Sequence, residues 1–575
     1  MRVLTAAAVT VALVFAVAAA AAPQTDASFA QSYAANHVSS VLATTQRVSC
    51  YAPEVTYFDF LTVGYPGGGM TACPSSGATT GEQTQGFATQ DVANPPMLVK
   101  DHSESDIRVD PANPLHVIGQ SKWFVSAEGY NHLLGFYESW DGGKTFPVQG
   151  HVPGYEGWTD NTDPVGAFDP WGNFYSLVLP YQFYYGNGGT HKFDNGSNQI
   201  NPLLPAEAIA LSVHPAATQA RQTARNWITT HNGVPDIVWP SKNANTGAPD
   251  KQWIAIDTNP SSPFYGRVYA MWVDYVFNPS IPLYSTAQAR PDGTHSDWSP
   301  ARELPTINGK RYDQYLLPHV APDGTVYTPV THNQQQQQYA NNDIYLDSST
   351  DGGATWQGPS LIRAGITTPT YQNTTFREGI IDSFAVGPTK VNGHYPLYLT
   401  YENEDPDGLS RVYIVASFDG GTLWSFTPAQ VNDGGGEALQ PNVNVAPNGT
   451  VTVAFYDRRL ACPSQGSSEA SAAGLQFDPN APYGRADYCV NSAIQFYSPT
   501  LQPRGQNIRL SPTTWDPQLN APHTGCISCS GTFLGDYFGV DSGGGVTYTT
   551  SISTANDGSN PSFYQQQSVA RIATP

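Results

Sequence analysis

The stretch SSTDGGATW, Ser348 to Trp356, reads as a short polar turn that ends on an aromatic residue. Near-copies occur as SWDGGKTF from Ser139 to Phe146 and as SFDGGTLW from Ser417 to Trp424. The glycines supply backbone angles that other residues avoid, and the Ser and Asp side chains can bond amides of the turn. We therefore predict a structural role for the three aspartates, and a larger repeating unit around them. These aspartates are Asp141, Asp351 and Asp419.

A second repeat is more regular than the turn. It consists of an apolar strand that ends in a small or acidic residue, a Pro/Gly turn, and a strand of alternating aromatic and aliphatic residues. Its seven copies centre on Asp110, Asp169, Asp257, Ala321, Gly387, Ala446 and Asp541. The intervals are 59, 88, 64, 66, 59 and 95 residues, so the base period is about 60 with two longer exceptions. The period predicts four-stranded blades arranged radially.

The predicted fold is all-β, a single β-propeller of four-stranded blades, with seven blades favoured and six as the alternative. One blade can be read in full, and its third-to-fourth strand turn is SFDGGTLW. Its four predicted strands are Ser383 to Val386, Pro396 to Tyr401, Arg411 to Phe418 and Trp424 to Val431. The last copy, near Asp541, lacks a fourth strand. We expect an N-terminal strand to close the ring, from 54–63 or from 95–100.

The N-terminus has a basic start, an apolar run to Ala22 and then polar residues, which is the order of a secretory signal peptide. An uncleaved membrane anchor is the alternative, and no other segment is apolar enough to cross a bilayer. The predicted organisation is therefore a signal peptide at 1–22, a disulfide-stapled extension at 23–100 and the propeller at 101–575. We expect a secreted protein with no membrane contact after the signal is removed.

The chain contains an even set of cysteines behind this export signal, which favours disulfides over metal ligands or catalytic thiols. They are Cys50, Cys73, Cys462, Cys489, Cys526 and Cys529. The pairs Cys50 with Cys73 and Cys462 with Cys489 would each close a local loop, although the spacing leaves the connectivity open.

The formal net charge is −21, which argues against nucleic acid as a partner because phosphate binding needs a basic surface. An anionic substrate would need a cluster of arginines to overcome this repulsive field.

The three turns resemble the Asp-boxes, or bacterial neuraminidase repeats, of the sialidase superfamily. The strings DKQWIAID, FREG, AFYDRR and GTFLGDYFG resemble segments of secreted sialidase-like proteins, and the resemblance spans about Ser103 to Ile572. It implies a glycoside hydrolase of the exo-α-sialidase type that acts on terminal sialic acid or another acidic sugar of glycans. It also implies no organic cofactor. The match Phe376-Arg377-Glu378-Gly379 to the family's Phe-Arg-Ile-Pro segment is partial.

In an antiparallel blade, the start of the first strand and the end of the second lie at the same end. First-strand starts contribute Asp250, Lys251, Arg377, Glu378, Asp536 and Tyr537, and second-strand ends contribute Asp274, Tyr275, Glu402, Asp457, Arg458 and Arg459. Carboxylates and guanidinium groups that converge there would shift one another's pKa values, as acid/base chemistry requires.

Sialidases hold the substrate carboxylate with three arginines and use a tyrosine nucleophile activated by a glutamate, with an aspartate as acid/base. The resemblance therefore implies Tyr537 as nucleophile beside Asp536, with Glu378 and Asp457 as further catalytic residues. It implies Arg377, Arg458 and Arg459 as the anion clamp. Asp250, Asp274 and Glu402 complete the predicted substrate contacts.

Other interpretations remain open. The same residues could form salt bridges between blades, in a non-catalytic propeller that binds glycan or protein. Carboxylates at several blade entrances could hold Ca²⁺, since oxygen ligands suit it, but the sequence has no contiguous calcium loop and predicts no other metal. We expect a glycan partner and a monomer.

Overall fold

A computed structural model describes most of the chain from Asp101 onward, together with one N-terminal strand. The described residues are 44–47, 101–124, 132–152, 154–155, 158, 160–181, 204–216, 226–241, 249–275, 280–307, 313–333, 341–376, 382–478, 480, 482–519, 532–558, 560 and 563–575.

The chain forms seven antiparallel sheets, which are numbered blades 1 to 7 in chain order. Blades 1 to 3 each contain four strands, ordered from the first strand to the fourth. Blade 1 contains β2 (Asp101–Val109), β3 (Val117–Phe124), β4 (His132–Ser139) and β5 (Val148–His151). Blade 2 contains β6 (Asp160–Phe168), β7 (Phe174–Tyr181), β8 (Ala208–His214) and β11 (Ile237–Pro240), with a hairpin of β9 (Thr230–His231) and β10 (Val234–Pro235) before its last strand. Blade 3 contains β12 (Pro249–Ile256), β13 (Arg267–Asp274), β14 (Ile281–Gln288) and β15 (Arg302–Glu303).

Blades 4 to 7 follow the same plan. Blade 4 contains β16 (Asp313–Leu316), β17 (His319–Val320), β18 (Val326–Asn333), β19 (Asn342–Ser349) and β20 (Gln357–Ile366). Blade 5 contains β21 (Asp382–Val386), β22 (Leu397–Glu404), β23 (Ser410–Ser417) and β24 (Ala429–Gln430). Blade 6 contains β25 (Ala438–Val445), β26 (Val451–Asp457), β27 (Asn491–Tyr497) and β28 (Ile508–Arg509). Blade 7 contains β29 (Val540–Gly543), β30 (Val546–Ser553), β31 (Gln566–Ala573) and β1 (Thr44–Arg47).

The first strands form the inner wall of a closed ring. Each contacts the first-strand segment of the next blade, and β29 of blade 7 returns to β2 of blade 1. Apolar side chains from the facing sheets of neighbouring blades form the core. One cluster, for example, joins Leu177 and Leu211 of blade 2 to Val268 and Trp272 of blade 3. The prediction of a seven-bladed, all-β propeller is confirmed.

The ring is closed by an N-terminal strand, as predicted, but at a different position. The strand β1 pairs antiparallel with β31, and Thr44 lies opposite Arg571. The segments expected to supply it, 54–63 and 95–100, lie outside the described residues. Blade 5 also differs from its predicted boundaries, because its fourth strand shortens to Ala429–Gln430. Pro428, which precedes this strand, cannot donate a backbone hydrogen bond.

The three polar turns each join the third strand of a blade to the fourth, in blades 1, 4 and 5. In blade 1 the Ser139 hydroxyl donates to Asp141 at 2.8 Å, and the Thr145 amide and hydroxyl donate to the same carboxylate. Asp351 and Asp419 accept equivalent bonds from the residues of their own turns. These side chains therefore hold the turn in shape.

A disulfide between Cys462 and Cys489 staples the long connection between the second and third strands of blade 6. This connection contains helix α1 (Ser468–Ala472) and a single 3-10 turn (Leu475–Phe477). The other four cysteines lie outside the described residues. Within the described part of the chain, no helix has the length and apolar character needed to span a bilayer.

Candidate functional site

The first strands share an irregularity near their beginning. In blades 1, 2, 3, 4 and 6 the pairing register with the second strand shifts there, as it does at a β-bulge. Within or beside each shift lies a non-glycine residue with a left-handed backbone. These residues are Glu104 (φ 48°), Asp163 (φ 53°), Lys251 (φ 57°), Tyr315 (φ 51°) and Gln440 (φ 49°). We call them the channel-mouth ring.

The five residues occupy equivalent positions. Each stands six residues before a repeat centre of the sequence, namely Asp110, Asp169, Asp257, Ala321 and Ala446. In blade 7 the same offset from Asp541 falls on Gly535, whose φ is 108°. Left-handed backbone at a non-glycine residue costs about 1–3 kcal/mol, and bulges re-aim side chains next to active sites. Strain repeated at one end of the channel therefore nominates that end as a functional site.

Lys122 joins the first two members of the ring. Its ammonium Nζ lies 2.6 Å from Glu104 Oε2 and 3.1 Å from Asp163 Oδ1. Lys122 belongs to β3, the second strand of blade 1, so it reaches the same end of the channel as the bulges. Glu104 and Asp163 also share a hydrogen bond between their carboxyl groups. The three residues form a carboxyl dyad held by one buried cation.

The pKa values of the two carboxyl groups move apart. Burial, and then the charge of Asp163, raise the pKa of Glu104 well above its usual value, although Lys122 opposes this shift. Burial also acts to raise the pKa of Asp163, but Lys122, the hydrogen bond from Glu104 and Lys251 together hold it below its usual value. The proton of the pair is therefore held by Glu104 in preference to Asp163. Paired carboxyls that divide in this way are typical of acid/base sites.

Lys251 links this dyad to blade 7. Its Nζ donates to Asp536 Oδ2 at 2.9 Å, lies 3.8 Å from Asp250 Oδ2, and sits 5.5 Å from the centre of the Tyr315 ring. The site is open on this side. The Asp163 and Lys251 side chains are 15% and 16% exposed and Asp250 is 31% exposed, whereas Glu104 is 1% exposed. A ligand would therefore meet Asp250, Lys251 and Asp163 before Glu104.

Two further carboxyl groups, those of Asp250 and Glu207, also have raised pKa values. Burial, together with Asp163, raises the pKa of Asp250, although Lys251 opposes it. The pKa of Glu207, just before β8 in blade 2, lies well above its usual value because of burial and the nearby Asp250 and Asp274. Among the described residues, no group of three or more His, Cys, Asp or Glu side chains is arranged to hold a metal ion. Two lysine ammonium groups already stand among these carboxylates, so the Ca²⁺ interpretation gains no support.

Four residues that the sequence places at this end of the blades lie in this site, namely Asp250, Lys251, Asp536 and Tyr537. The Tyr537 hydroxyl donates to the Pro164 carbonyl at 3.0 Å. Burial and the surrounding carboxylates, first Glu104, raise its pKa well above the usual value. A phenol that keeps its proton and donates it to the backbone is poorly prepared to be a nucleophile, so its geometry gives that role no support.

The predicted anion clamp has different surroundings. Arg458 is fully buried, pairs with Glu437, and donates to the backbone carbonyls of Gln372, Asp487 and Tyr488. We call this set the Arg458 knot. Arg459 pairs with Asp457 and Asp433 and donates to Asn507 at 2.6 Å. Both guanidinium groups are thus engaged within the fold, and their contacts give a substrate role no support.

Most of the other predicted site residues are also engaged in contacts within the fold. Asp457 is buried and accepts from Arg459, and Glu402 accepts from the Tyr371 hydroxyl at 2.9 Å and from the backbone N–H of Gln440. Asp274 accepts from the Trp239 indole at 2.9 Å. Arg377 and Glu378 lie outside the described residues. The sequence interpretation missed Glu104, Lys122, Asp163, Tyr315 and Gln440, although the fixed offset from the repeat centres identifies all of these except Lys122.

No family model matches the chain, and no curated protein matches it. A comparison of structures does match it to solved proteins, at low sequence identity. The polysaccharide lyase Uly1 is 11% identical, with 93% of this chain and 99% of that chain covered and a TM-score of 0.44. A point mutant of the NanB sialidase from Streptococcus pneumoniae is 10% identical, with 84% and 69% covered and a TM-score of 0.36. An α-L-arabinanase from Penicillium chrysogenum is 12% identical, with 72% and 92% covered and a TM-score of 0.37. These overlaps are too distant to carry an argument about function.

Proposed function

We propose that the protein is a secreted glycoside hydrolase whose acid/base group is the Glu104–Asp163 dyad. The observation that supports this proposal is the dyad itself, in which two hydrogen-bonded carboxyl groups have opposite pKa shifts on strained backbone at the channel mouth. Keeping two left-handed acidic residues side by side is costly, and such strain is typical of functional sites. The disulfide Cys462–Cys489 is in keeping with an oxidising compartment.

The dyad acts as a single proton donor and acceptor. Hydrogen-bonded carboxyl groups are much closer than the about 5–5.5 Å that separates the two carboxyls of a retaining glycosidase. They therefore cannot flank a glycosidic bond from both sides. Asp250, the most exposed carboxylate of the site, takes the second role and activates a water molecule. Its raised pKa makes it a stronger base than an ordinary aspartate.

The test is hydrolysis of a panel of fluorogenic glycosides by the purified protein, with sialosides and other acidic sugars among the first substrates because of the sequence resemblance. Glu104→Gln and Asp163→Asn are expected to lower kcat by at least about 100-fold, the usual size of an acid/base contribution. Glu303→Gln, at an exposed position of β15, is the matched control and should leave kcat unchanged.

The second candidate is a non-catalytic propeller that binds glycan or protein at the same end. The observation in its favour is that Arg458 and Arg459 are both held in ion pairs within the fold. A panel without turnover would contradict the hydrolase and leave this binding role. Turnover that Glu104→Gln leaves unchanged would contradict the dyad as the acid/base group.

A further inference from the structure

We infer that the channel-mouth ring takes an uncharged sugar, and that Tyr315, Gln440 and Lys251 form its binding half. The inference rests on the proposed function, because it names the substrate class for the same site. It also departs from the acidic sugar that the sequence resemblance implies. Three observations carry it, namely the pairing of the two lysines, the excess of carboxyl groups and the chemistry of the two remaining ring residues.

Both ammonium groups at the mouth are neutralised by protein carboxylates. Lys122 lies between Glu104 and Asp163, and Lys251 lies between Asp536 and Asp250. An anionic sugar would have to displace one of these partners and leave a buried carboxylate uncompensated, which is costly. Among the described residues, the two arginines predicted to bind a carboxylate are engaged in pairs of their own.

The charge around the site opposes an anion as well. Four carboxyl groups, those of Glu104, Asp163, Asp250 and Asp536, share the two lysines, and Glu207 stands close enough to be affected by Asp250. Even with the proton on Glu104, carboxylates outnumber ammonium groups. The chain as a whole carries a formal charge of −21. An acidic sugar is therefore repelled over both short and long distances, whereas a neutral sugar is not.

The other two ring residues suit hydroxyl-bearing rings. Tyr315 presents a partly buried aromatic ring beside Lys251, and aromatic surface with a few polar groups is the usual lining of a small-molecule site. Gln440 is 2% exposed and donates its Nε2 to the Gly535 carbonyl, next to Asp536. Its Oε1 has no hydrogen-bond partner among the described residues. A buried acceptor of this kind can be satisfied by a sugar hydroxyl.

The experiment measures binding separately from turnover. Calorimetric titration of the Glu104→Gln variant compares neutral oligosaccharides, such as arabino-, xylo- and galacto-oligosaccharides, with sialyllactose and an oligogalacturonate. We expect a neutral ligand to bind at least about tenfold tighter than either acidic one. Tyr315→Ala should weaken that binding at least tenfold.

The chain offers a matched control for the aromatic ring. Tyr395 lies 5.0 Å from Lys390 Nζ in an equivalent lysine–tyrosine contact, at the opposite end of the channel beside β22. Tyr395→Ala is expected to leave neutral-sugar binding unchanged. Equal losses for Tyr315→Ala and Tyr395→Ala would overturn the assignment of Tyr315 to the site.

The two proposals fail in different ways. Tighter binding or turnover of an acidic sugar alone would overturn the inference and leave the hydrolase intact. Binding of a neutral sugar through Tyr315, without hydrolysis of that sugar by the wild type, would support the inference and overturn the hydrolase. No binding of any ligand would overturn the inference whatever the activity.

Discussion

The channel mouth and the Arg458 knot are both buried ion clusters at one end of the blades, yet they differ in backbone and exposure. Glu104, Asp163 and Lys251 are held in left-handed conformations, and the cluster opens to solvent through Asp163, Lys251 and Asp250. Arg458 has no exposed surface, and its guanidinium group donates to Glu437 and to backbone carbonyls of two loops. A strained backbone at a solvent-accessible ion cluster indicates a functional site. A fully buried cluster whose charged groups are all paired indicates a structural role.

The largest expected effect is a loss of protein stability when the Arg458 knot is broken. Arg458→Met leaves Glu437 buried without its cation, and removal of one partner of such a pair typically costs about 3–5 kcal/mol. We expect the free energy of unfolding, from chemical denaturation, to fall by this amount. The double variant with Glu437→Gln should recover part of the loss. An Arg458→Met variant as stable as the wild type would show that the Arg458 knot has no structural role, and the contrast with the channel mouth would fail.

A smaller effect is expected from pH at the channel mouth. The pKa of Glu104 is raised in the folded state, so the fold binds a proton that the unfolded chain loses above its ordinary pKa. This contribution is complete below that ordinary pKa and is lost as pH rises towards the folded value, with a slope of at most about 1.4 kcal/mol per pH unit. As pH rises above the ordinary pKa of a glutamate, the wild type should therefore lose stability relative to Glu104→Gln. Parallel curves for the two proteins would contradict the shift.

The smallest effect concerns the bulge itself. Lys251→Gly and Lys251→Ala both remove the contact with Asp536, but only glycine accepts a φ of 57° without strain. We expect the glycine variant to have the higher melting temperature, by a difference worth about 1 kcal/mol. At Arg302, an exposed position of β15, the order should reverse. A more stable alanine variant at both positions would show that the backbone at Lys251 is unstrained.

The fold was largely predictable because repeats of about 60 residues impose the same strand pattern seven times. Even the fifth blade was read with strand boundaries close to those observed, apart from its fourth strand. The closing strand was predicted only in kind, since β1 has four residues and no distinctive pattern.

The site was less predictable for two physical reasons. A left-handed bulge has no hydrophobic period, and Glu, Asp, Lys, Tyr and Gln share no chemistry that would align them by type. Only their constant distance from the repeat centres links them. The direction of a side chain at a strand end is also set by distant partners, as with Arg458, whose acceptors lie at Gln372 and Asp487.

The strand that closes the ring, β1, also determines when the ring can close during synthesis. The residues Thr44–Arg47 are synthesised long before their partner Gln566–Ala573, because more than five hundred residues separate the two strands. Until β31 has been made, β1 lacks this partner, and an unpaired strand edge is a place where other chains can add strands. The ring of a nascent chain therefore stays open while its sheets are completed one by one. A chain whose translation stops before β31 cannot close the ring.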